Sequence, residues 1–270
     1  MKVHHLNCAT FCPRACERFF SRSHFVAHCL LVESDDGLIL IDTGFGTAEC
    51  EQRGKRVGRL YAWMMRPAFD PAETAVARVR ALGFAPEDVR HIVVTHMDVD
   101  HAGGLPDFPH AQVHIFEDEH TAAMKRSAFA EKGRYVPAHW AHGPDWRIHA
   151  VEQGESWHGF ERVRPLPSVA PELLIVPVRG HTRGHSIVAV DDGDGWLVHC
   201  GDAYFDRRAI TDPEALPKGI QRLERALALD DQMRAANLER LRALNAAGGE
   251  GMRLFCAHDP VEFPGESGPH

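Results

Sequence analysis

Apolar positions along the chain fall into short, β-branched runs bounded by turn residues, with stretches of helical spacing between some of them. Val26 to Glu33 and Leu38 to Ile41 read as two strands, joined as a hairpin by Ser34-Asp35-Asp36-Gly37. His91-Ile92-Val93-Val94 reads as a short buried strand. Gln112 to Phe116, Leu173 to Val178, Ile187 to Val190, Trp196 to Cys200 and Met252 to Cys256 read as five more. Pro71 to Leu82 predicts a helix, with proline and acid near its start, Ala, Val and Leu at helical spacing, and Gly83 as the stop. Glu117 to Ala130 predicts a second helix. Leu229 to Leu244 predicts a third, amphipathic one, apolar at 229, 233, 238, 241 and 244. Strands and helices alternate, yet many strands come as hairpins. That pattern predicts a layered α/β sandwich with mixed sheets rather than a doubly wound parallel sheet.

Two stretches carry no clear period. Residues 47 to 70 are irregular and amphipathic around Trp63, Met64 and Met65, and read as a helix or a flap over a pocket. Residues 131 to 171, with Trp140, Trp146 and Trp157, read either as a lid or substrate-binding insertion or as an aromatic layer that only packs. No repeat of short period divides the chain, so residues 1–270 are expected to form one domain, with a loose tail from Pro264 to His270.

Composition narrows the function. At 44% hydrophobic and 25% charged, 270 residues suffice for a core without staples. A net charge of −8 with no long basic run argues against nucleic acid as the main partner. No run of eighteen apolar residues predicts a membrane span, and the start Met1-Lys2-Val3-His4-His5-Leu6 lacks the apolar core of a signal peptide. Seven scattered cysteines predict reduced thiols and a cytoplasmic setting. Cys8, Cys12 and Cys16 recur every fourth residue, but without a paired motif and a distant partner they read as buried thiols.

The chemistry lies at strand ends. Thr95-His96-Met97-Asp98-Val99-Asp100-His101-Ala102-Gly103-Gly104 places four potential metal ligands within six residues, on the loop leaving a strand's carboxyl end. Side chains at 96 and 98 can point one way while 100 and 101 turn elsewhere, so the loop can serve two metal positions. Asp42-Thr43-Gly44 ends an earlier strand. Gly180-His181-Thr182-Arg183-Gly184-His185, Gly201-Asp202 and Ala257-His258-Asp259 end three others. Glycine beside a ligand lets backbone approach the site closely.

Taken in order, these segments resemble the metallo-β-lactamase-fold hydrolase superfamily, and within it the branch of N-acyl homoserine lactone lactonases. The resemblance covers nearly the whole chain. It implies a four-layer αβ/βα sandwich of two mixed sheets flanked by helices. It also implies two divalent metal ions, zinc by default, with iron or manganese the alternatives. Carried over by position, His96, Asp98 and His185 would hold one ion, Asp100, His101 and His258 the other, and Asp202 would bridge both. Asp42 would orient a ligand from behind, and His181 would serve as a turn or supporting hydrogen bond. The implied activity is hydrolysis of an ester- or lactone-type carbonyl in a small molecule by a metal-bridging hydroxide, with Asp100 also carrying a proton to the leaving group.

Two positions depart from the family pattern. The usual loop reads His-x-His-x-Asp-His, whereas residue 98 here is Asp. A third carboxylate offsets more of the metal charge and favours harder ions than imidazole does. Asp98 either serves as a ligand or is too short to reach; if it is a ligand, Asp98→His is expected to raise zinc occupancy. Lactonases of this branch place a tyrosine three residues after the bridging Asp; here Tyr204 follows Asp202 by two, and is either a catalytic donor or a packed aromatic. Other activities of the superfamily remain as alternatives: a thioester hydrolase of the glyoxalase II type, or a persulfide dioxygenase with one iron on His96, His185 and Asp202.

Overall fold

In the strand Gly37–Ile41, Ile39 and Ile41 face one way, Leu38 and Leu40 the other, and all four are buried. A strand buried on both faces needs a layer on each side, and reads as a continuous apolar run. The protein, seen in a computed structural model, meets that need with two sheets packed face to face and helices outside both. Residues 2–264 are described, apart from 15, 54, 151, 153 and 167–171. The expected loose tail lies outside the described residues from 265 onward.

Strands β1 (Val3–Phe11), β2 (Phe25–Ser34), β3 (Gly37–Ile41), β4 (Val89–Val93), β5 (Gln112–Phe116) and β6 (Asp145–His149) form one sheet in that order. Its first three strands are antiparallel and β3 to β6 run parallel. The second sheet holds β7 (Glu155–Trp157), β8 (Phe160–Pro165), β9 (Leu173–Pro177), β10 (Ser186–Asp191), β11 (Trp196–His199) and β12 (Met252–Phe255), in reverse order across the sheet. It is antiparallel except where β11 pairs with β12. Ile39, Ile41 and Val93 of the first sheet pack against Ile175, Val188 and Val190 of the second. The helix Ala75–Ala81 covers the outside of the first sheet, and the helix Asp231–Gly248 covers the outside of the second. This is the four-layer sandwich of two mixed sheets that the sequence implied.

Local chemistry shifts several boundaries. The helix expected over 71–82 begins as a 3-10 turn, Pro71–Glu73, and becomes α-helical at Ala75, where Thr74 Oγ1 accepts from Ala77 N. The helix expected over 117–130 stops at Lys125, with Arg126 left-handed, and a separate helix runs from Phe129 to Arg134. Among the elements not expected are β1, where polar His and Asn blur the alternation, and the helix Lys218–Leu227. Within 131–171, β6 adds an edge to the first sheet and β7 and β8 an edge to the second. All seven cysteines are free; Cys8 and Cys16 are buried and Cys12 is half-buried. Among the described residues no helix is long and apolar enough to cross a membrane.

Candidate metal centre

The site forms where loops leave the carboxyl ends of β3, β4, β9, β11 and β12, at one edge of the sandwich. Asp42, just past β3, adopts a left-handed φ of +56°, a strained conformation for this residue outside a turn. In return its Oδ1 accepts from Thr95 N (2.8 Å), and its Oδ2 accepts from Thr95 Oγ1 (2.7 Å) and His101 Nδ1 (2.8 Å). Buried Glu119 ties two of the loops together. It accepts from Met97 N and Gly184 N (each 3.0 Å) and from Thr182 Oγ1 (2.6 Å). Gly201, with φ +51°, turns the chain at Asp202; a Cβ there would stand 2.7 Å from His185 Nε2.

Two groups of ligand atoms converge. His96, Asp98, His181 and Asp202 form one, and Asp100, His101 and His258 the other. Asp202 reaches both: its Oδ2 lies 3.7 Å from His96 Nε2 and 3.2 Å from His181 Nε2, while its Oδ1 lies 3.2 Å from His101 Nε2 and 3.1 Å from His258 Nε2. Asp98 Oδ2 stands 3.4 Å from His96 Nε2, and Asp100 Oδ2 stands 3.7 Å from His258 Nε2. Donors arranged tetrahedrally at zinc distances sit about 3.3 Å from one another, so the spacing fits. The chemistry fits too. His96 Nε2, His101 Nε2, Asp98 Oδ1 and Asp202 Oδ1 are buried without a hydrogen-bond partner, a costly condition that a bound cation removes.

The far side of each ring explains which nitrogen faces inward. His101 Nδ1 donates to Asp42, and His258 Nδ1 donates to the Val26 carbonyl (2.7 Å). The Thr95 hydroxyl spends its proton on Asp42, so it accepts from His96 Nδ1 (3.0 Å). Each ring is thereby fixed with Nε2 bare toward the centre.

Two expectations change. His185 does not join the ligand group: its Nδ1 donates to the Val178 carbonyl (2.8 Å), and its Nε2 accepts from Asp202 N (2.9 Å). With both nitrogens occupied it positions the Asp202 backbone, and His181 takes the place expected for it. The one-iron set expected on His96, His185 and Asp202 therefore also has His181 standing where His185 was expected. Tyr204 likewise turns away. Its hydroxyl points at Glu262 Oε1 (3.5 Å) on the far side, while Phe205 faces the site. Burial pushes the Glu262 carboxyl up to about 8, despite a hydrogen bond from Cys256 N. A folded-state value above the unfolded one means that the fold holds an extra proton, and loses stability as pH rises from about 4.5 to about 8. Glu262→Gln should therefore melt higher than wild type at pH 8 and equally or lower at pH 4.5; a pH-independent difference in melting temperature would contradict this.

Electrostatics set the centre apart. Burial alone would raise the Asp98 carboxyl, but the Arg134 guanidinium, 3.1 Å away, together with His96 and His181 holds it well below the usual range. Arg134 comes from the helix Phe129–Arg134, and also donates to the carbonyls of His181 (3.3 Å) and Leu227. Burial would likewise raise Asp202, and His258, His101 and His181 pull it far down. Asp100 is raised, chiefly by burial. Above these groups lies a cavity of about 160 Å³, walled by Phe11, Phe25, Tyr61, Met65, Phe205 and Leu223, with Asp98, Asp100, Asp202 and His258 at its floor. Sequence reasoning missed Arg134 and Tyr61, which sit in no motif.

The sequence profile of the metallo-beta-lactamase superfamily matches residues 23–258. The chain belongs to the metallo-beta-lactamase superfamily. The matched span runs from the start of β2 to His258, and so contains every residue of the centre. Within the superfamily the chain is 42% identical over 260 residues to a probable metallo-hydrolase of Mycobacterium tuberculosis, covering 96% of this chain and 81% of that protein. It is 27% identical over 205 residues to an N-acyl homoserine lactonase of Bacillus thuringiensis, covering 73% and 74%. Its fold matches the crystal structure of a mutant B. thuringiensis AiiA with N-decanoyl-L-homoserine at the active site, at TM-score 0.72 and 18% identity, over 97% of this chain and 94% of that one.

Proposed function

We propose that this protein is a dinuclear metal-dependent hydrolase of small, largely apolar esters or lactones. One observation carries the reading: the two oxygens of Asp202 face separate histidine pairs, as a carboxylate shared by two cations must. His96, Asp98 and His181 would hold one ion, Asp100, His101 and His258 the other, and Asp202 would bridge them. Four imidazoles among seven donors suit zinc, and three carboxylates also admit manganese or iron. Bound together, two such ions bring a shared water toward ionisation at neutral pH and polarise a carbonyl.

The chain's own groups supply the rest. The apolar wall orients an acyl group and excludes water. Arg134 is committed to Asp98 and to two carbonyls, so it offers little to an anionic substrate. Asp100, at the floor of the cavity, would take up the proton released in the attack and return it to the departing alkoxide. The decanoyl tail of the lactonase ligand named above is of the kind this wall accepts.

The test joins metal counting to turnover. Protein loaded with zinc should hold two ions per chain and open lactones or esters, and chelation should stop turnover until metal is restored. One iron per chain with oxygen uptake and no ester cleavage would overturn the reading.

A further inference from the structure

The chain has three tyrosines. Tyr204 is directed at Glu262, and Tyr135 is buried in the cluster beneath the first sheet. Tyr61 alone of the three lines the cavities that border the centre: it shares one with Asp98, Asp100 and Arg134, and the other with Asp98, Asp100, Asp202 and His258. It stands on the helix Arg59–Met65, two turns that close over the cavity together with Met64 and Met65. Its hydroxyl is buried and has no hydrogen-bond partner. Leaving such a group unpaired costs stability, so a partner is to be looked for. The acceptors lining these cavities are the carboxylates of Asp98, Asp100 and Asp202, and none of them is hydrogen-bonded to it. Phe205, three residues after Asp202, presents a ring with no polar atom.

We propose that the Tyr61 hydroxyl donates a hydrogen bond to the substrate's carbonyl oxygen as that oxygen takes up charge. This rests on the hydrolase reading and adds to it the group that steadies the developing oxyanion. A phenol is protonated at neutral pH and is a donor there without further activation. Held on a helix inside an apolar wall, it is worth more than the same donor in water, because little reorientation is needed when charge appears. The oxygen it serves arrives with the substrate, which is why the hydroxyl is orphaned without one.

Tyr61→Phe removes only the oxygen. Zinc-loaded wild type and variant are compared on aryl butyrates whose leaving phenols differ in acidity. The variant should lose about 10²-fold in kcat with little change in KM, by the same factor for every leaving group, and should bind the same amount of zinc. Its metal-free form should melt no lower than wild type, since an unpaired donor has been removed. Unchanged kcat overturns the proposal. So does a loss that grows with the basicity of the leaving phenol, which would place the hydroxyl on the leaving oxygen, and so does a marked fall in melting temperature, which would show a structural partner. A wild type that cleaves no ester or lactone defeats the hydrolase reading instead. Butyrate binding to the zinc-loaded protein then reads Tyr61 directly: about 10-fold weaker in the variant supports the proposal, and equal binding overturns it.

Discussion

Asp202→Ala should leave a folded protein that no longer holds two ions per chain and has lost nearly all turnover. Among the described residues the carboxylate is the one group that touches both ligand sets, with its oxygens 3.1 to 3.7 Å from four different imidazoles. Several kcal/mol of charge stabilisation would depend on the ions proposed to bind there. At 1.36 kcal/mol per decade, kcat should fall by about 10³-fold or more. Stability gives a second readout. Metal that binds only the folded state raises the melting temperature of wild type, and that rise should shrink in the variant. Without metal, Asp202 and Asp42 raise His101 against its burial, and Asp202 also raises His258. Protons therefore compete with metal at these rings, so wild-type occupancy should fall as pH is lowered. Two ions per chain in Asp202→Ala, measured by elemental analysis, would remove the bridge from the account.

Parts of this site were legible because they are contiguous or sit at strand ends. The loop from Thr95 to His101 carries its ligands within six residues after a β-branched run, and both features are local. Gly201-Asp202 and Ala257-His258 announce themselves in the same way. His181 and His185 each follow a glycine in one short loop, and the resemblance assigns the ligand role to His185 and a supporting role to His181. What separates them is tertiary: the Asp202 backbone N–H needs an acceptor, and His185 Nε2 provides it. Arg134 and Tyr61 were invisible for another reason. Each is a single side chain delivered by a short helix with no motif, and only the packing of that helix over the strand ends makes it part of the centre. The helix Lys218–Leu227 carries Ile220, Leu223 and Leu227 at helical spacing, a pattern short enough to pass for a connection.

Asp98→His, the change that restores the family's usual loop, should harm this protein unless Arg134 is changed with it. From sequence alone the third carboxylate offsets more of the metal charge, and Asp98→His is expected to raise zinc occupancy if Asp98 is a ligand. The structure places the Arg134 guanidinium 3.1 Å from Asp98 Oδ2 with only a tenth of its side chain exposed. The pair together carries no net charge, as a neutral histidine does, so the centre keeps the balance of a site with two carboxylates. Replacing Asp98 alone strands a buried cation beside the two metal ions proposed for the centre. Breaking a buried pair from one side costs about 3–5 kcal/mol, and in a chain of this size each kcal/mol is worth about 2–4 °C in melting temperature. Asp98→His should therefore melt well below wild type and take up less zinc at the His96 side. Asp98→His with Arg134→Met removes the stranded charge and should recover much of both. The coupling across the four proteins should exceed about 1 kcal/mol, within the range for contacting charges. A single Asp98→His variant as stable and as zinc-rich as the double one would show that Arg134 does not offset the carboxylate. The unusual residue in the loop would then need another cause.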